Sequence, residues 1–182
     1  MSRYTGHERR AKVDIKAAVI TVSTSRYRAR GRGEEVRDDS GDIAESLLKA
    51  HGFEVVAREL VPDDRGHIRG AVERCRSRAN LLILIGGTGV SPTDVTVEAI
   101  RPILDKELTL FPALFAYLSY ADVGTACLPS RVLAGVTGLR RLALRPRGTL
   151  DLQYVLPPPA HRAYIAYAGA SADPTRRVWL LG

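Results

Sequence analysis

Cysteine and histidine are scarce in this chain. Cys75 and Cys127 are the two cysteines among 182 residues, far apart and without C-x-x-C spacing, so neither a disulfide framework nor a thiolate metal site can be read from them. Cys75 falls at a core-like helical position, where packing is the expected role. The four histidines, His7, His51, His67 and His161, share no ligand spacing and lend nothing to a zinc centre or a catalytic triad. No apolar run approaches the roughly 20 residues needed to span a bilayer. The opening MSRYTGHERRAKVD has no apolar segment of the secretory kind. The expectation is a cytoplasmic protein with no membrane partner. Aromatics are also few, at 6% of the chain.

Charge is present but unevenly spread. The net charge is +7, and residues 1–37 hold ten Lys or Arg against only Glu8, Asp14, Glu34 and Glu35. Such a segment attracts anions. Stacking platforms for a nucleic acid strand are nearly missing beside it, with Tyr4 and Tyr27 the only candidates. Phosphorylated metabolites or a membrane surface would suit it, as would a solvated arm that keeps the chain soluble, and nucleic acid is disfavoured as a partner on this count. With 45% hydrophobic and 26% charged residues, the length suits one ordinary globular domain.

The pattern along the chain alternates strands with helices. Residues 1–14 read as a flexible basic arm, 15–156 as an α/β domain, and 157–182 as a C-terminal extension that ends in a strand or arm. Ile15–Ser23 is a β-branched apolar run suited to a buried parallel strand. Arg26–Arg37 reads as a loop by its glycines and charge. Asp39-Ser40-Gly41 is expected to cap a helix running to Ala50, with Gly52 just past its end. Phe53–Leu60 reads as a strand. Arg65–Arg78 is an amphipathic helix, with Ile68, Ala71, Val72 and Cys75 on one stripe. Leu81–Ile85 is the most apolar strand, and Val95–Leu104 a third helix. An irregular helical stretch covers Phe111–Tyr120, a weakly helical one Ser130–Val136, and a strand Arg140–Leu144. The fold class expected is a three-layer, mostly parallel, doubly wound α/β sheet with helices on both faces. Such sheets bind ligands beyond the carboxyl ends of their strands.

Three polar motifs fall at those ends: Ser23 onward, Pro62-Asp63, and Gly86-Gly87-Thr88-Gly89. Glycines in a βα turn let backbone approach an anion, although tight turns also need glycine for conformational reasons alone. No Gly-Lys-Ser/Thr follows, so the turn is not a P-loop, and it is not a G-x-G-x-x-G dinucleotide site. Asp94 reads as a helix N-cap and Asp63 as a turn residue. Together the two carboxylates suit a magnesium ion held between nucleotide phosphates.

Gly86–Gly89, four residues, then Asp94-Val95-Thr96-Val97-Glu98-Ala99 closely resembles the GGTG…DVTPEA signature of the molybdopterin adenylyltransferase (MoaB/Mog) family. Ser23, Asp39-Ser40-Gly41, Val61-Pro62-Asp63, Leu118-Ser119-Tyr120, Gly124-Thr125, Ser130-Arg131 and Ala134-Gly135-Val136 follow in that family's order. The resemblance covers about residues 15–150 and leans to the MoaB branch. It implies a MoaB/Mog-like fold and transfer of AMP from ATP to the phosphate of molybdopterin, with magnesium as cofactor. It implies Asp63 and Asp94 as the catalytic pair. It places pterin and phosphate against Ser23, Gly86, Gly87, Thr88, Gly89, Ser130 and Arg131. Asp39, Ser40, Gly41, Glu98, Arg147, Gly148 and Thr149 would serve the nucleotide, and a homotrimer or homohexamer is implied. The chain departs from the pattern at Ser23-Thr24-Ser25-Arg26, which lacks an acid, at Leu110–Ala116, and at Leu144–Thr149, where Leu-Pro-Gly-Ser is usual. The competing expectation is a non-catalytic pterin-binding member with a degenerate nucleotide loop.

Overall fold

The computed structural model describes residues 15–137 and one further strand, 163–167. Six strands form a single sheet in the order β2-β1-β3-β6-β5-β4. They are β1 (Lys16–Val22), β2 (Glu54–Val61), β3 (Leu81–Ile85), β4 (Lys106–Glu107), β5 (Ala134–Thr137) and β6 (Ala163–Tyr167). β1 pairs in parallel with β2 and β3, and β3 with β6, while β5 runs antiparallel to both β4 and β6. The sheet is thus α/β and mostly parallel. Its β6 comes from the segment read in sequence as the C-terminal extension.

Successive side chains of a strand point to opposite faces, so a strand covered on both sides must be apolar throughout. β1 obeys this. Ala18, Ile20 and Val22 pack with Leu82, Leu84 and the helix residues Ile68, Ala71, Val72 and Cys75. Ala17 and Val19 pack on the other face with Leu48, Ile83 and Ile85. The covering helices are α2 (Asp39–Ala50) on one face, and α3 (Arg65–Arg76) with α4 (Thr96–Ile100) on the other. Ile20, Ile68, Leu82, Leu84 and Ile100 are essentially fully buried, each worth roughly 1.5–3 kcal/mol over exposure. α5 (Phe111–Val123) follows β4 and leaves Leu114, Tyr117, Leu118 and Tyr120 exposed. Among the described residues no helix is long and apolar enough to cross a membrane.

The structure corrects several local expectations. Arg26–Arg37 is not simply a loop, because Thr24–Gly31 forms a helix, α1, capped by Ser23. Arginine and alanine are good helix formers, and no breaker intervenes before Gly31. The cap of α2 is Asp38 rather than Asp39-Ser40-Gly41: its carboxylate accepts from the Gly41 N–H. The predicted helix Val95–Leu104 is only α4 followed by a 3-10 turn, Arg101–Ile103. Pro102 has no N–H to continue the α ladder. Asp94 does not cap α4: Val95 stands at that position without a side-chain bond. Ser130–Val136 is not helical, for Ala134–Thr137 is β5, whose glycine lets Lys106 of β4 approach closely: a Cβ on Gly135 would meet the Lys106 carbonyl oxygen at 2.5 Å. The predicted strand Arg140–Leu144 lies outside the described residues.

Candidate functional site

The chain leaves β1 toward β2 on one side, then crosses β1 to reach β3 on the other. Connections that diverge from neighbouring strands open a crevice at their carboxyl ends. Val22 aligns with Val61, and Thr21 with Ile85, so the residues following β1, β2 and β3 emerge at one edge. Ser23-Thr24, Pro62-Asp63 and Gly86–Gly89 therefore meet there.

Gly86 and Gly87 have φ of +104° and +62°, a region side chains seldom adopt. A Cβ on Gly86 would run into the Val22 carbonyl, and one on Gly87 would lie 2.5 Å from Thr96 Oγ1 and 2.8 Å from Asp63 Oδ1. The turn needs glycine for both reasons. Thr96 closes it from the far side, donating its hydroxyl to the Gly86 carbonyl at 2.8 Å and its N–H to the Gly87 carbonyl at 2.9 Å. Thr88 is buried.

Both acidic residues abut this turn. Asp63 Oδ2 accepts from the Thr24 N–H at 2.8 Å and the Thr24 hydroxyl at 2.7 Å, while Oδ1 faces Gly87. Asp94 Oδ2 accepts from the Ser91 N–H at 3.0 Å and lies 2.6 Å from where a Gly89 Cβ would stand. The Oδ1 atoms of both residues accept no hydrogen bond among the described residues.

Arg131 reaches the turn from 42 residues away. Its Nε donates to the Gly89 carbonyl and its Nη2 to the Asp94 carbonyl, each at 2.8 Å. Nη1 pairs with Glu98 Oε1, and the Arg131 N–H donates to the Thr88 carbonyl. The Arg131 hydrogen bond holds the Glu98 carboxyl below the usual glutamate range, against the opposing pull of partial burial. The guanidinium is thus engaged with the protein's own backbone and Glu98, as is the Glu98 carboxylate with it.

The remaining candidates are placed less closely. Ser23 spends its side chain on the Arg26 N–H as the cap of α1. Ser130 is exposed, its N–H bonded to the Cys127 carbonyl. Asp39, Ser40 and Gly41 begin α2, where Asp38 accepts from Thr21 Oγ1 at 2.7 Å and from Arg58 Nη2 at 2.9 Å. Arg58 also pairs with Asp42 and Glu45; burial works against its charge, but these three carboxylates outweigh it and raise its pKa. This network fastens the start of α2 to β1 and β2. Arg147, Gly148 and Thr149 lie outside the described residues. Sequence reasoning passed over Thr24, Asp38 and Arg58. Only Thr24 carried a signal, as a hydroxyl residue directly after a strand bound for the ligand edge.

No three His, Cys, Asp or Glu side chains converge among the described residues, so an all-protein metal cage is absent there. Two carboxylates beside one turn, each with an oxygen that accepts no hydrogen bond among the described residues, suit magnesium instead. That ion keeps several waters and binds through one or two carboxylates plus substrate phosphates.

Comparison with known proteins identifies the family. The family model described as a probable molybdopterin binding domain matches residues 18–144. A Methanocaldococcus jannaschii protein named probable molybdopterin adenylyltransferase is 39% identical over 125 residues, 68% of this chain and 74% of its own length. The molybdenum cofactor biosynthesis protein B of Bacillus cereus is 34% identical over 137 residues, 74% of this chain and 77% of its own. Among solved structures, the tungsten cofactor synthesizing protein MoaB of Pyrococcus furiosus superimposes with a TM-score of 0.64 at 30% identity, covering 88% of this chain and 84% of that one. The sheet order, the glycine turn with its flanking acids, and these similarities lead to one conclusion: the chain belongs to the molybdopterin-binding domain family.

Proposed function

We propose that this protein is a molybdopterin adenylyltransferase of molybdenum cofactor biosynthesis, transferring AMP from ATP to the phosphate of molybdopterin. The observation that carries the reading is the approach of Asp63 and Asp94 to one glycine turn at the ligand edge of the sheet. The name of the archaeal relative supports the activity. In the reaction a pterin phosphate oxygen attacks the α-phosphorus of ATP, a new P–O bond forms, and pyrophosphate leaves with the electrons of the broken bond. The attacking oxygen is already ionised near neutral pH, so the chain needs no histidine base. The difficulty is bringing two polyanions together, which positioning and charge neutralisation address.

Each residue then has a task. The turn Gly86–Gly89 would present its backbone to a phosphate, its three glycines being what lets the turn pack against Val22, Thr96, Asp63 and Asp94. Asp63 and Asp94 would hold magnesium through their Oδ1 atoms, and the ion would supply charge neutralisation between the phosphates. Arg131 and Thr96 hold the turn, with Glu98 fixing Arg131. We assign pterin binding to the Ser23 and Ser130 side of the edge, and the nucleotide to the start of α2 (Asp39, Ser40, Gly41) with Arg147, Gly148 and Thr149. A cytoplasmic homotrimer or homohexamer is part of the same proposal. The non-catalytic alternative is less favoured, because both acids stand at the turn.

The test is to combine protein, ATP, magnesium and molybdopterin and to follow pyrophosphate release. Release is expected, and its absence from the wild type would defeat the reading. Asp94→Asn should abolish release while circular dichroism and melting temperature stay unchanged.

A further inference from the structure

Among the described residues, Asp63 is fixed by one partner, Thr24, to which no role has been assigned above. Thr24 is the first residue of α1, just after the cap Ser23. The first N–H groups of a helix have no partner inside it. α1 also has no acid in its own first turn. Asp63, 39 residues away, fills both needs: its Oδ2 takes the Thr24 N–H at 2.8 Å and the Thr24 hydroxyl at 2.7 Å. The Thr24 hydroxyl oxygen in turn accepts from the Asp63 N–H at 2.9 Å. Three bonds thus close a reciprocal clamp, and a carboxylate at a helix N-terminus is favoured by the helix dipole.

The clamp has a directional consequence. With Oδ2 committed to Thr24, the remaining oxygen, Oδ1, is presented to Gly87. A hydroxyl that both donates to the Asp63 carboxylate and accepts from its backbone locks the side-chain torsion as well as the main chain. Serine offers the same two functions, and valine, of the same shape, offers neither.

We propose that Thr24 is a positioning residue that acts through Asp63, presenting one carboxylate oxygen to the glycine turn. The inference rests on the adenylyl-transfer reading for its kinetic form but not for its geometry. Thr24→Val should lower kcat about 10- to 100-fold and weaken magnesium–ATP binding by only about threefold, the pattern of a misplaced catalytic group and not of lost substrate contacts. Thr24→Ser should restore kcat to within about threefold of wild type. Melting curves of both variants are recorded beside the kinetics. Dissociation constants for magnesium–ATP, measured by calorimetry on wild type, Thr24→Val, Asp63→Asn and the double variant, supply the second readout. Weakening by Thr24→Val that disappears in the Asp63→Asn background supports action through Asp63. Equal weakening in both backgrounds, or a wild-type kcat in Thr24→Val, overturns it. A serine variant as impaired as the valine one overturns it too. If the wild type releases no pyrophosphate, the transfer reading falls while Thr24 remains testable. The crystal structure of Thr24→Val should show the Asp63 carboxylate moved from Gly87, and an unmoved carboxylate would refute the inference.

Discussion

Replacing Gly87 by alanine tests whether the turn and the acid form one device. Two costs add at this position. The φ of +62° is unfavourable for any residue with a Cβ, by about 1–2 kcal/mol. The added methyl would also meet Thr96 Oγ1 at 2.5 Å, Asp63 Oδ1 at 2.8 Å and Val22 Cγ1 at 3.2 Å. Relieving such overpacking costs about 1–3 kcal/mol. Gly52 is the control, since its φ is +80° yet nothing lies within 4 Å of its would-be Cβ. Gly52→Ala should therefore lose about 1 kcal/mol and Gly87→Ala about 3 kcal/mol in urea unfolding, the difference being steric. Because the displaced atoms include Asp63 Oδ1, Gly87→Ala should also lose pyrophosphate release by about 100-fold, whereas Gly52→Ala should keep it. Equal destabilisation by the two substitutions, with activity intact in Gly87→Ala, would refute the reasoning.

Arg131→Lys keeps the charge but cannot reproduce the fork that reaches the Gly89 and Asp94 carbonyls together. It should lose about 2 kcal/mol of stability, a figure held down by partial solvent exposure, and more than tenfold in turnover. Glu98 makes a pH prediction: its carboxyl sits below the ordinary 4.5 because Arg131 donates to it. A depressed carboxyl pKa adds stability above the unfolded value and loses it as pH falls through the folded one. Urea unfolding of Glu98→Gln should thus show a shallower acid loss below about pH 4.5 than wild type; an unchanged slope would count against the pair. Burial, with the Glu59 carboxylate adding to it, pushes the Cys75 thiol up to about 12. Iodoacetamide at pH 8 should then label half-buried Cys127 in the folded protein before Cys75, as read by peptide mass spectrometry.

Much of the fold was legible because strands buried on both faces and helices buried along one stripe must carry their burial in composition. Leu81–Ile85 was read to the residue, and the stripe Ile68, Ala71, Val72, Cys75 lies in the core as expected. Two of the misreadings share a cause: α1 and β5 each depend on partners remote in sequence. α1 is arginine-rich and buries no side chain, so it has no apolar stripe to announce it. Its N-terminus is met by Asp63. β5 is four residues long and exists through pairing with β4 and β6. Asp94 had the composition of a cap, but its carboxylate turns back to Ser91.

The candidate site divides in the same way. Sequence alone named the glycine turn and both acids, because a turn with positive φ and a chemistry of phosphates restrict the residue types that serve. It also determined the layered architecture, through the period of its apolar residues. Only the tertiary structure decided that Arg131 is spent on the turn's carbonyls and on Glu98, and that Thr24 orients Asp63. Hydrogen bonds spanning 39 and 42 residues leave no local trace, since a donor's identity is written at one position and its acceptor's place only in the folded chain.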